Sequence, residues 1–269
     1  MLNSTLKVTE MILNELRVLV LIPARYASSR FPGKPLAKIS KKSMIQRVYE
    51  NCLGIKDQLE HSVVSVVTDD SRIEDHVKGF GGEVVRVDDD VASGSERIAL
   101  ALERFYSNQE WDFVINVQGD EPLIESNLLS RLAEYHSNSR FDLATVVKPF
   151  SGHEEEHSDS NKVKAIYSPV KGQCLYFSRA KLPYYRDDVK AQDWFLHIGI
   201  YSFRPKALKE FCKLEGSYYE NIEKLEQLRA LENGYTIGAV TTDMTLMGVD
   251  VPEDIAKLEG VLREREIKS

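Results

Sequence analysis

VLVLI at residues 18–22, followed by PARYASSRFPGKP at residues 23–35, decides the fold of this 269-residue chain. The first stretch contains no polar residue, so it predicts a strand that is buried on both faces, as in a parallel sheet. The second stretch is rich in small residues and cations, which is typical of a ligand-binding loop at the carboxyl end of such a strand.

Strands and helices alternate with short connections as far as residue 147. Further strands are predicted at 63–68, 83–87, 113–117 and 143–147. Helices are predicted at about 44–53, 71–80, 95–105 and 128–136. This alternation predicts an α/β fold with a Rossmann-like, mostly parallel sheet and helices on both faces. Ligands of such sheets bind beyond the carboxyl ends of the strands, so the informative residues should follow strands.

The alternation breaks at about residue 150, where the polar and acidic stretch 151–161 predicts a mobile loop. Later strands are predicted at 164–167, 173–177, 197–201 and 236–241, and helices at 222–233 and 252–265. Gly234 stands where a glycine commonly ends a helix. We find no internal repeat and no flexible linker. We therefore predict a single domain over residues 17–265 with an insert at about 150–235, preceded by a short extension of residues 1–16.

The composition, 42% hydrophobic and 29% charged, is that of a globular protein. A net charge of −7 argues against a nucleic-acid partner, because such proteins carry basic surfaces. Three separated cysteines, Cys52, Cys174 and Cys212, predict reduced thiols rather than a metal site. We expect neither a membrane partner nor a signal peptide, since no apolar run reaches the ~18 residues of a membrane span. Together these features predict a cytoplasmic protein.

The loop after the first strand places Arg25, Arg30 and Lys34 at the ligand end of the sheet. Arginine binds phosphate oxygens through a planar fork, and lysine supplies a movable point charge. The loop is not a Walker P-loop, because Pro35 follows Lys34 where that motif has serine or threonine. A solvated basic loop is the alternative reading.

Two aspartates stand at the ends of predicted elements. Asp120 in NVQGDEP, residues 116–122, follows the fourth strand, and Asp250 in GVDVPED, residues 248–254, precedes the last helix. Mg²⁺ takes hard oxygen ligands, often one or two carboxylates together with phosphate oxygens. The pair therefore suits a magnesium site. Either residue could instead be a turn or helix-capping aspartate.

Other polar residues have an ordinary explanation when they are taken alone. HEEEH at residues 153–157 matches the zinc-protease pattern formally, but its polar neighbours favour a solvated acidic loop. His197 lies in an apolar strand, where a hydrogen-bonded core histidine is the default. Glu226 and Gln227 would belong to the solvated face of a helix.

The combination of motifs resembles the 3-deoxy-manno-octulosonate (Kdo) cytidylyltransferase family, the CMP-Kdo synthetases of lipopolysaccharide assembly. The resemblance spans residues 18 to about 260, in the family's order. The matching segments are IPARY (22–26), RFPGKPL (30–36), SGSER (93–97), NVQGDEP (116–122), LYFSRA (175–180), HIGIY (197–201), LEQLR (225–229) and GVDVPED (248–254).

The resemblance implies a nucleotide-diphospho-sugar transferase type of fold and assigns roles to individual residues. For the nucleotide, it implies Ala24, Arg25, Arg30, Lys34, Ser93, Gly94 and Gln118, with Ser93 and Gly94 against the cytosine and ribose. For the sugar acid, it implies Arg179 at the carboxylate, with His197, Tyr201, Glu226 and Gln227 around the hydroxyls. Arg25, Lys34, Asp120 and Asp250 would be catalytic, and Asp120 and Asp250 would bind Mg²⁺.

The implied reaction joins CMP from CTP to Kdo and releases pyrophosphate, in an enzyme that works as a homodimer whose insert serves sugar binding and dimerisation. The family commonly has histidine where this chain has Val91, so one polar contact near the substrates is missing. A related subgroup that acts on 8-amino-3,8-dideoxy-manno-octulosonate has a small apolar residue there, so this sugar stays open as the substrate. A sialic-acid-type cytidylyltransferase and a non-catalytic nucleotide-binding protein are more remote alternatives.

Overall fold

The computed structural model describes residues 15–27, 31–152, 154–187 and 193–268. These residues form two compact units. The first contains the described residues as far as Ser130 and again from Thr245, and the second runs from Arg131 to Met244. The predicted insert, about 150–235, lies inside the second unit, and the single domain over 17–265 stays a prediction. Of the predicted extension 1–16, only Glu15 and Leu16 are among the described residues.

The elements are numbered here in chain order. The strands are β1 (Val18–Ala24), β2 (Lys38–Ile39), β3 (Lys42–Ser43), β4 (Val63–Thr68), β5 (Val84–Arg86), β6 (Phe113–Asn116), β7 (Leu143–Ser151), β8 (Lys164–Ser168), β9 (Gln173–Ser178), β10 (Asp193–Phe203) and β11 (Ile237–Thr241). The helices are α1 (Met44–Leu53), α2 (Ser71–Gly79), α3 (Gly94–Phe105), α4 (Ser126–Ser137), α5 (Glu154–Ser158), α6 (Pro205–Phe211), α7 (Tyr218–Glu223), α8 (Gln227–Glu232) and α9 (Asp254–Lys268).

A parallel sheet in the order β5-β4-β1-β6 forms the centre of the first unit. Every residue of β1 is buried, as its unbroken apolar run predicts. Three helices begin with the side-chain caps that short polar residues favour, Ser43 before α1, Asp70 before α2 and Ser93 before α3. The predicted Rossmann-like parallel sheet is confirmed for this unit, and its carboxyl ends carry the loops that begin at residues 25, 69 and 117.

The last segment of the chain returns to the first unit. Val249 and Leu258 are fully buried, in one cluster with Ile39, Met44 and Leu123. Burying apolar side chains of this size stabilises the fold by roughly 2 kcal/mol each. Because the cluster anchors the residues on either side of Asp250, it fixes that aspartate in the first unit.

The strands of the second unit pair in a different way. They follow the order β10-β7-β11-β9-β8, and β8 pairs again with β10, so that the five strands close on themselves. Only β7 and β11 are parallel, and the other pairs are antiparallel. The prediction of a mostly parallel sheet is therefore wrong for this unit. Closure leaves these five strands without a free edge.

Two predicted elements of the second unit need correction. The helix predicted over 222–233 is broken, because Lys224 adopts a left-handed conformation with φ of +53° and separates α7 from α8. The loop predicted over 151–161 contains the short helix α5. None of the helices described is both long and apolar enough to cross a bilayer.

Candidate active site

Lys34 joins the two aspartates that the sequence singled out. Its ammonium lies 2.5 Å from Asp120 Oδ2 and 3.9 Å from Asp250 Oδ1, and it donates to the carbonyl of Val249 at 2.9 Å. The side chain of Lys34 is 17% exposed, against 29% for Asp120 and 51% for Asp250. A partly buried cation therefore holds two carboxylates that stand 130 positions apart in the sequence, at an opening to solvent.

Local structure explains why these three residues meet. Lys34 begins a short 3₁₀ turn, Lys34–Leu36, that follows Gly33 in a left-handed conformation, φ +72°. Asp120 lies beyond the end of β6, and its carbonyl accepts a hydrogen bond from Val249 N at 3.1 Å. The buried Val249 thus ties the loop of Asp120 to the segment of Asp250.

Arg25 follows β1 directly and donates from Nη2 to the carbonyl of Val91 at 3.0 Å. This contact uses the backbone of Val91, so it does not depend on the side chain that replaces the family's histidine. Ser93 Oγ accepts from Glu96 N at 3.1 Å and caps α3. The hydroxyl of Ser93 therefore has a structural role, and its own hydrogen can still be donated to a ligand.

Two glycines let the loops approach the end of β1 closely. A Cβ atom added at Gly94 would come within 3.1 Å of Pro23 Cγ, and one added at Gly119 would come within 3.0 Å of the Pro23 carbonyl. Ala24, the last residue of β1, is buried at this point. Gln118 is half-buried beside Gly119. Arg30, which was predicted at the triphosphate, lies outside the described residues.

Glu121 is a candidate residue that the sequence analysis missed. Its Oε2 atom is buried and has no hydrogen-bond partner among the described residues. Burial, and to a smaller extent Asp120 and Asp250, raises the pKa of Glu121 to about 8, while Lys34 acts in the opposite direction. Asp120 and Asp250 supply the carboxylate oxygens that Mg²⁺ takes, one or two at a time, together with phosphate oxygens. The residues present therefore fit Mg²⁺.

A second cluster lies in the second unit, around an irregularity of β10. His197 pairs with Val147 and Tyr201 pairs with Thr145, so β10 contains two more residues than β7 between these pairs. Such bulges redirect side chains and are frequent beside active sites. The rings of His197 and Tyr201 are in contact, 5.4 Å apart, and the ring of Phe177 lies against His197 at 4.8 Å.

The chemistry of this cluster is that of neutral hydrogen-bonding groups. Burial lowers the pKa of His197 to about 3, so the imidazole is uncharged at neutral pH. Burial, and less strongly the charge of Glu226, raises the pKa of Tyr201 well above its ordinary value. Gln227 is 6% exposed, and its amide nitrogen is buried without a partner among the described residues. An unsatisfied buried amide suggests that a ligand completes this group.

The break between α7 and α8 explains the placement of Glu226, Gln227 and Arg179. Arg179 donates from Nε to the Glu223 carbonyl at 2.7 Å, from Nη1 to the Ser160 carbonyl at 3.0 Å, and more weakly from Nη2 to the Lys224 carbonyl at 3.5 Å. It therefore satisfies carbonyls at the carboxyl end of α7. A guanidinium has five N–H donors, so two are left for a ligand carboxylate.

The HEEEH stretch is solvated only in part: it forms α5, in which Glu154 and Glu155 are exposed and His157 is not. His157 is fully buried, its ring stacks on Trp194 at 4.9 Å, and its Nε2 lies 2.6 Å from the Leu182 carbonyl. His153 lies outside the described residues. His157 is thus a core residue of the second unit, contrary to our prediction of a solvated acidic loop.

Comparison with known proteins shows which family this chain resembles over most of its length. The profile of the cytidylyltransferase family matches residues 19–237. The chain is 43% identical over 257 residues to the 3-deoxy-manno-octulosonate cytidylyltransferase of Syntrophotalea carbinolica, covering 91% of this chain and 98% of that protein. It is also 43% identical over 255 residues to the 8-amino-3,8-dideoxy-manno-octulosonate cytidylyltransferase of Shewanella pealeana, covering 92% of this chain and 99% of that protein.

A solved structure is similar over the same length. CMP:2-keto-3-deoxy-manno-octonic acid synthetase complexed with CTP superposes with a TM-score of 0.83 at 34% identity, covering 93% of this chain and 99% of that one. The likeness thus extends over the whole length of the similar proteins.

Proposed function

The chain belongs to the cytidylyltransferase family, and on that premise we propose that it transfers CMP from CTP to 3-deoxy-manno-octulosonate, releasing pyrophosphate. The observation that carries the proposal is the contact of Lys34 with both Asp120 and Asp250 at the ligand end of the parallel sheet. The names of the similar proteins support the substrate pair. The product, an activated sugar acid, would serve lipopolysaccharide assembly in the cytoplasm.

In the proposed reaction, the 2-hydroxyl oxygen of the sugar forms a bond to the α-phosphorus of CTP. The bond from that phosphorus to the pyrophosphate oxygen breaks, and the hydroxyl loses its proton. Negative charge therefore grows on the phosphoryl and leaving oxygens, and fixed cations accelerate the step by stabilising it. Arg25, Arg30 and Lys34 supply these cations from the chain.

Asp120 and Asp250 would hold Mg²⁺, which supplies positive charge at the phosphate oxygens and lowers the pKa of the attacking hydroxyl. Ala24, Ser93, Gly94 and Gln118 would bind and orient the nucleotide. In the second unit, Arg179 would meet the sugar carboxylate, and His197, Tyr201, Glu226 and Gln227 would bind the hydroxyls. Orienting two substrates in this way lowers the barrier of a bimolecular step by up to about 7–11 kcal/mol.

The test is pyrophosphate release from CTP with each sugar acid, with and without Mg²⁺. Wild-type protein should turn over Kdo in the presence of Mg²⁺, and Asp120→Asn and Asp250→Asn should each lower kcat about 100-fold or more, because each removes a ligand charge. Glu253→Gln, an exposed neighbour of Asp250, is the matched control and should keep wild-type turnover. Wild-type turnover by Asp120→Asn would contradict the metal assignment.

The 8-amino sugar is the second candidate, favoured by the 43% identity to the enzyme named for it and by Val91. The same assay decides between the sugars, since the preferred one has the higher kcat/KM. Absence of turnover with both would contradict the proposed function.

We also expect a homodimer, because the second unit exposes Tyr218, Tyr219 and Ile222 together along the short helix α7. Apolar side chains gathered in this way are typical of protein interfaces. At sedimentation equilibrium the assayed protein should have twice the chain mass of 30.6 kDa, and the single mass would contradict this.

A further inference from the structure

Thr145 is a buried polar residue in the apolar strand β7, opposite the bulge of β10. It is fully buried. Its Oγ1 lies 2.8 Å from the carbonyl oxygen of Ile200, 3.3 Å from that of Ile198 and 3.1 Å from His197 Nε2. The register of β7 and β10 shifts between Ile198 and Tyr201, and the hydroxyl of Thr145 can donate its one hydrogen to either carbonyl.

The number of hydrogens in this group fixes the direction of each hydrogen bond. A threonine hydroxyl has one hydrogen and two lone pairs, and a carbonyl oxygen can only accept. The hydroxyl therefore donates to a carbonyl, with Ile200 the nearest, and Oγ1 is left to accept. Its contact with His197 must then be a hydrogen bond donated by the ring, which requires the hydrogen on Nε2.

We infer that Thr145 is a positioning residue that holds His197 in the Nε2–H tautomer, so that Nδ1 presents a lone pair to a hydroxyl of the sugar substrate. Nδ1 has no hydrogen-bond partner among the described residues. In this state His197 accepts a hydrogen bond and neither carries charge nor donates at Nδ1. The assignment of a sugar as the ligand rests on the proposed function, whereas the tautomer follows from the hydrogen bonds alone.

The alternative tautomer has a specific cost. If Nδ1 carried the hydrogen, Nε2 could only accept, and the Thr145 hydroxyl would have to turn its one hydrogen from the Ile200 carbonyl to the ring. That carbonyl would then lose its hydroxyl donor, and a buried group left without a partner costs about 1–3 kcal/mol. The Nε2–H form avoids this loss, and the low pKa of His197 agrees with a neutral ring.

Nitrogen NMR of protein labelled with ¹⁵N-histidine reads the tautomer directly, in the absence of substrates. Wild-type His197, identified by the signals that disappear in His197→Gln, should show a protonated Nε2 and an unprotonated Nδ1. Thr145→Ser keeps the hydroxyl and should give the same spectrum. Thr145→Val has nearly the same shape but no hydroxyl, so it should shift the ring towards the Nδ1–H form.

Steady-state kinetics supply the second measurement. Thr145→Val should raise KM for the sugar acid about tenfold, the weight of one well-placed hydrogen bond, while KM for CTP changes less than twofold. Thr242→Val is the matched control, because Thr242 is also buried in this unit but its hydroxyl accepts a hydrogen bond from Met244 N. It should leave both the tautomer and KM for the sugar unchanged.

An Nδ1–H signal for wild-type His197, or a Thr145→Val protein that keeps both the wild-type tautomer and the wild-type KM for the sugar, would overturn the inference. The wild-type spectrum tests the tautomer even if Thr145→Val does not fold. Failure of the proposed function can be told apart from failure of this inference. If the proposed function were wrong, wild-type protein would not turn over Kdo, but the spectrum of His197 in the substrate-free protein would be unchanged.

Discussion

Lys164 is a fully buried lysine whose ammonium uses all three of its hydrogens on backbone carbonyls. The acceptors are Asp159 at 2.8 Å, Lys162 at 2.6 Å and Arg179 at 2.7 Å. Burial lowers the pKa of Lys164. Ser160 lies in the chain between two of these acceptors, Asp159 and Lys162, and its carbonyl accepts a hydrogen bond from Arg179 Nη1. Lys164 therefore fixes the backbone on both sides of that hydrogen bond.

Replacing Lys164 with methionine should destabilise the protein by about 3 kcal/mol or more. The substitution removes the desolvation of a charge, which is favourable, but it leaves the carbonyls of Lys162 and Arg179 without this donor at about 1–3 kcal/mol each, and the second effect is larger. The Asp159 carbonyl keeps the N–H of Lys162 as a donor. Urea denaturation measures the difference in the free energy of unfolding. The control is Lys171→Met, at an exposed position, whose free energy of unfolding should stay within about 0.5 kcal/mol of wild type. A loss below 1 kcal/mol for Lys164→Met would show that the carbonyls find other donors.

Asp250 shows what the sequence could and could not decide at a single residue. Its motif predicted either a metal ligand or the start of a helix. In the structure Asp254 begins α9, and its Oδ2 accepts from the backbone N–H groups of Asp250 and Val251 at 3.0 and 3.2 Å. The side chain of Asp250 points towards Lys34 instead. Asp250 and Asp254 are equally suited by residue type to capping the helix. Only the path of the folded chain therefore decides which of them is the cap and which faces Lys34.

Helix α3 carries two arginines in different situations. Arg97 is 2% exposed, donates to the Val87 carbonyl, and pairs with Asp69 at 2.8 Å. Arg104, two turns later, forms an exposed bidentate pair with Asp89 at 2.5 and 2.9 Å. Arg97 therefore joins the residues that follow β4 and β5 to α3, one turn after the cap Ser93.

We predict that Arg97→Lys raises KM for CTP about tenfold, whereas Arg104→Lys changes it less than twofold. Lysine keeps the charge of Arg97 but cannot bond Val87 and Asp69 together, because it lacks the planar fork. Exposed pairs such as Arg104–Asp89 contribute only about 0–1 kcal/mol. Steady-state kinetics with each variant make the comparison, and equal effects of the two substitutions would refute a special role for Arg97.

The elements of the first unit were predictable because their signals are local. Buried apolar runs mark β1 and β4, and short polar caps mark the starts of α2 and α3. The break at Lys224 has no such signal, since neither glycine nor proline announces it. Arg179, 45 positions away, helps to hold the break by bonding the carbonyls there. A contact of this range cannot be read from the residues around Lys224.

For the molecule as a whole, the two units differ in how far the sequence determines their topology. Alternating strands and helices imply parallel neighbours, so the sheet of the first unit follows from the pattern. The closed sheet of the second unit depends on pairing between distant strands, such as β8 with β10. The sequence of a short strand of mixed polarity does not determine which strand it pairs with, or whether the pair is parallel or antiparallel. Thr145 went unnoticed for the same reason, because its role exists only once β7 and β10 are paired.

The second unit also makes the stability of the molecule depend on pH, through the buried His136 and the half-buried His197. Burial lowers the pKa of His136 to about 4 and that of His197 to about 3. In the unfolded chain a histidine titrates near 6.5, so between these values the unfolded chain binds protons that the folded protein does not. The free energy of unfolding therefore falls as the pH falls from 7 towards 4. At pH 5.5 each histidine lowers the free energy of unfolding by about 1.4 kcal/mol relative to neutral pH.

His136→Gln isolates one of these contributions. His136 contacts Ser202 Oγ at 2.8 Å and the Phe141 carbonyl at 3.1 Å, so the variant should be less stable than wild type at pH 7.5. Between pH 7.5 and 5.5, however, it should lose about 1.4 kcal/mol less than wild type, since glutamine does not titrate. Urea denaturation at the two pH values measures this, and the carboxylates, which are common to both proteins, cancel. His61→Gln, at an exposed position, should keep the wild-type pH dependence. Equal pH dependence of His136→Gln and wild type would mean that His136 takes up a proton in the folded protein as readily as in the unfolded chain.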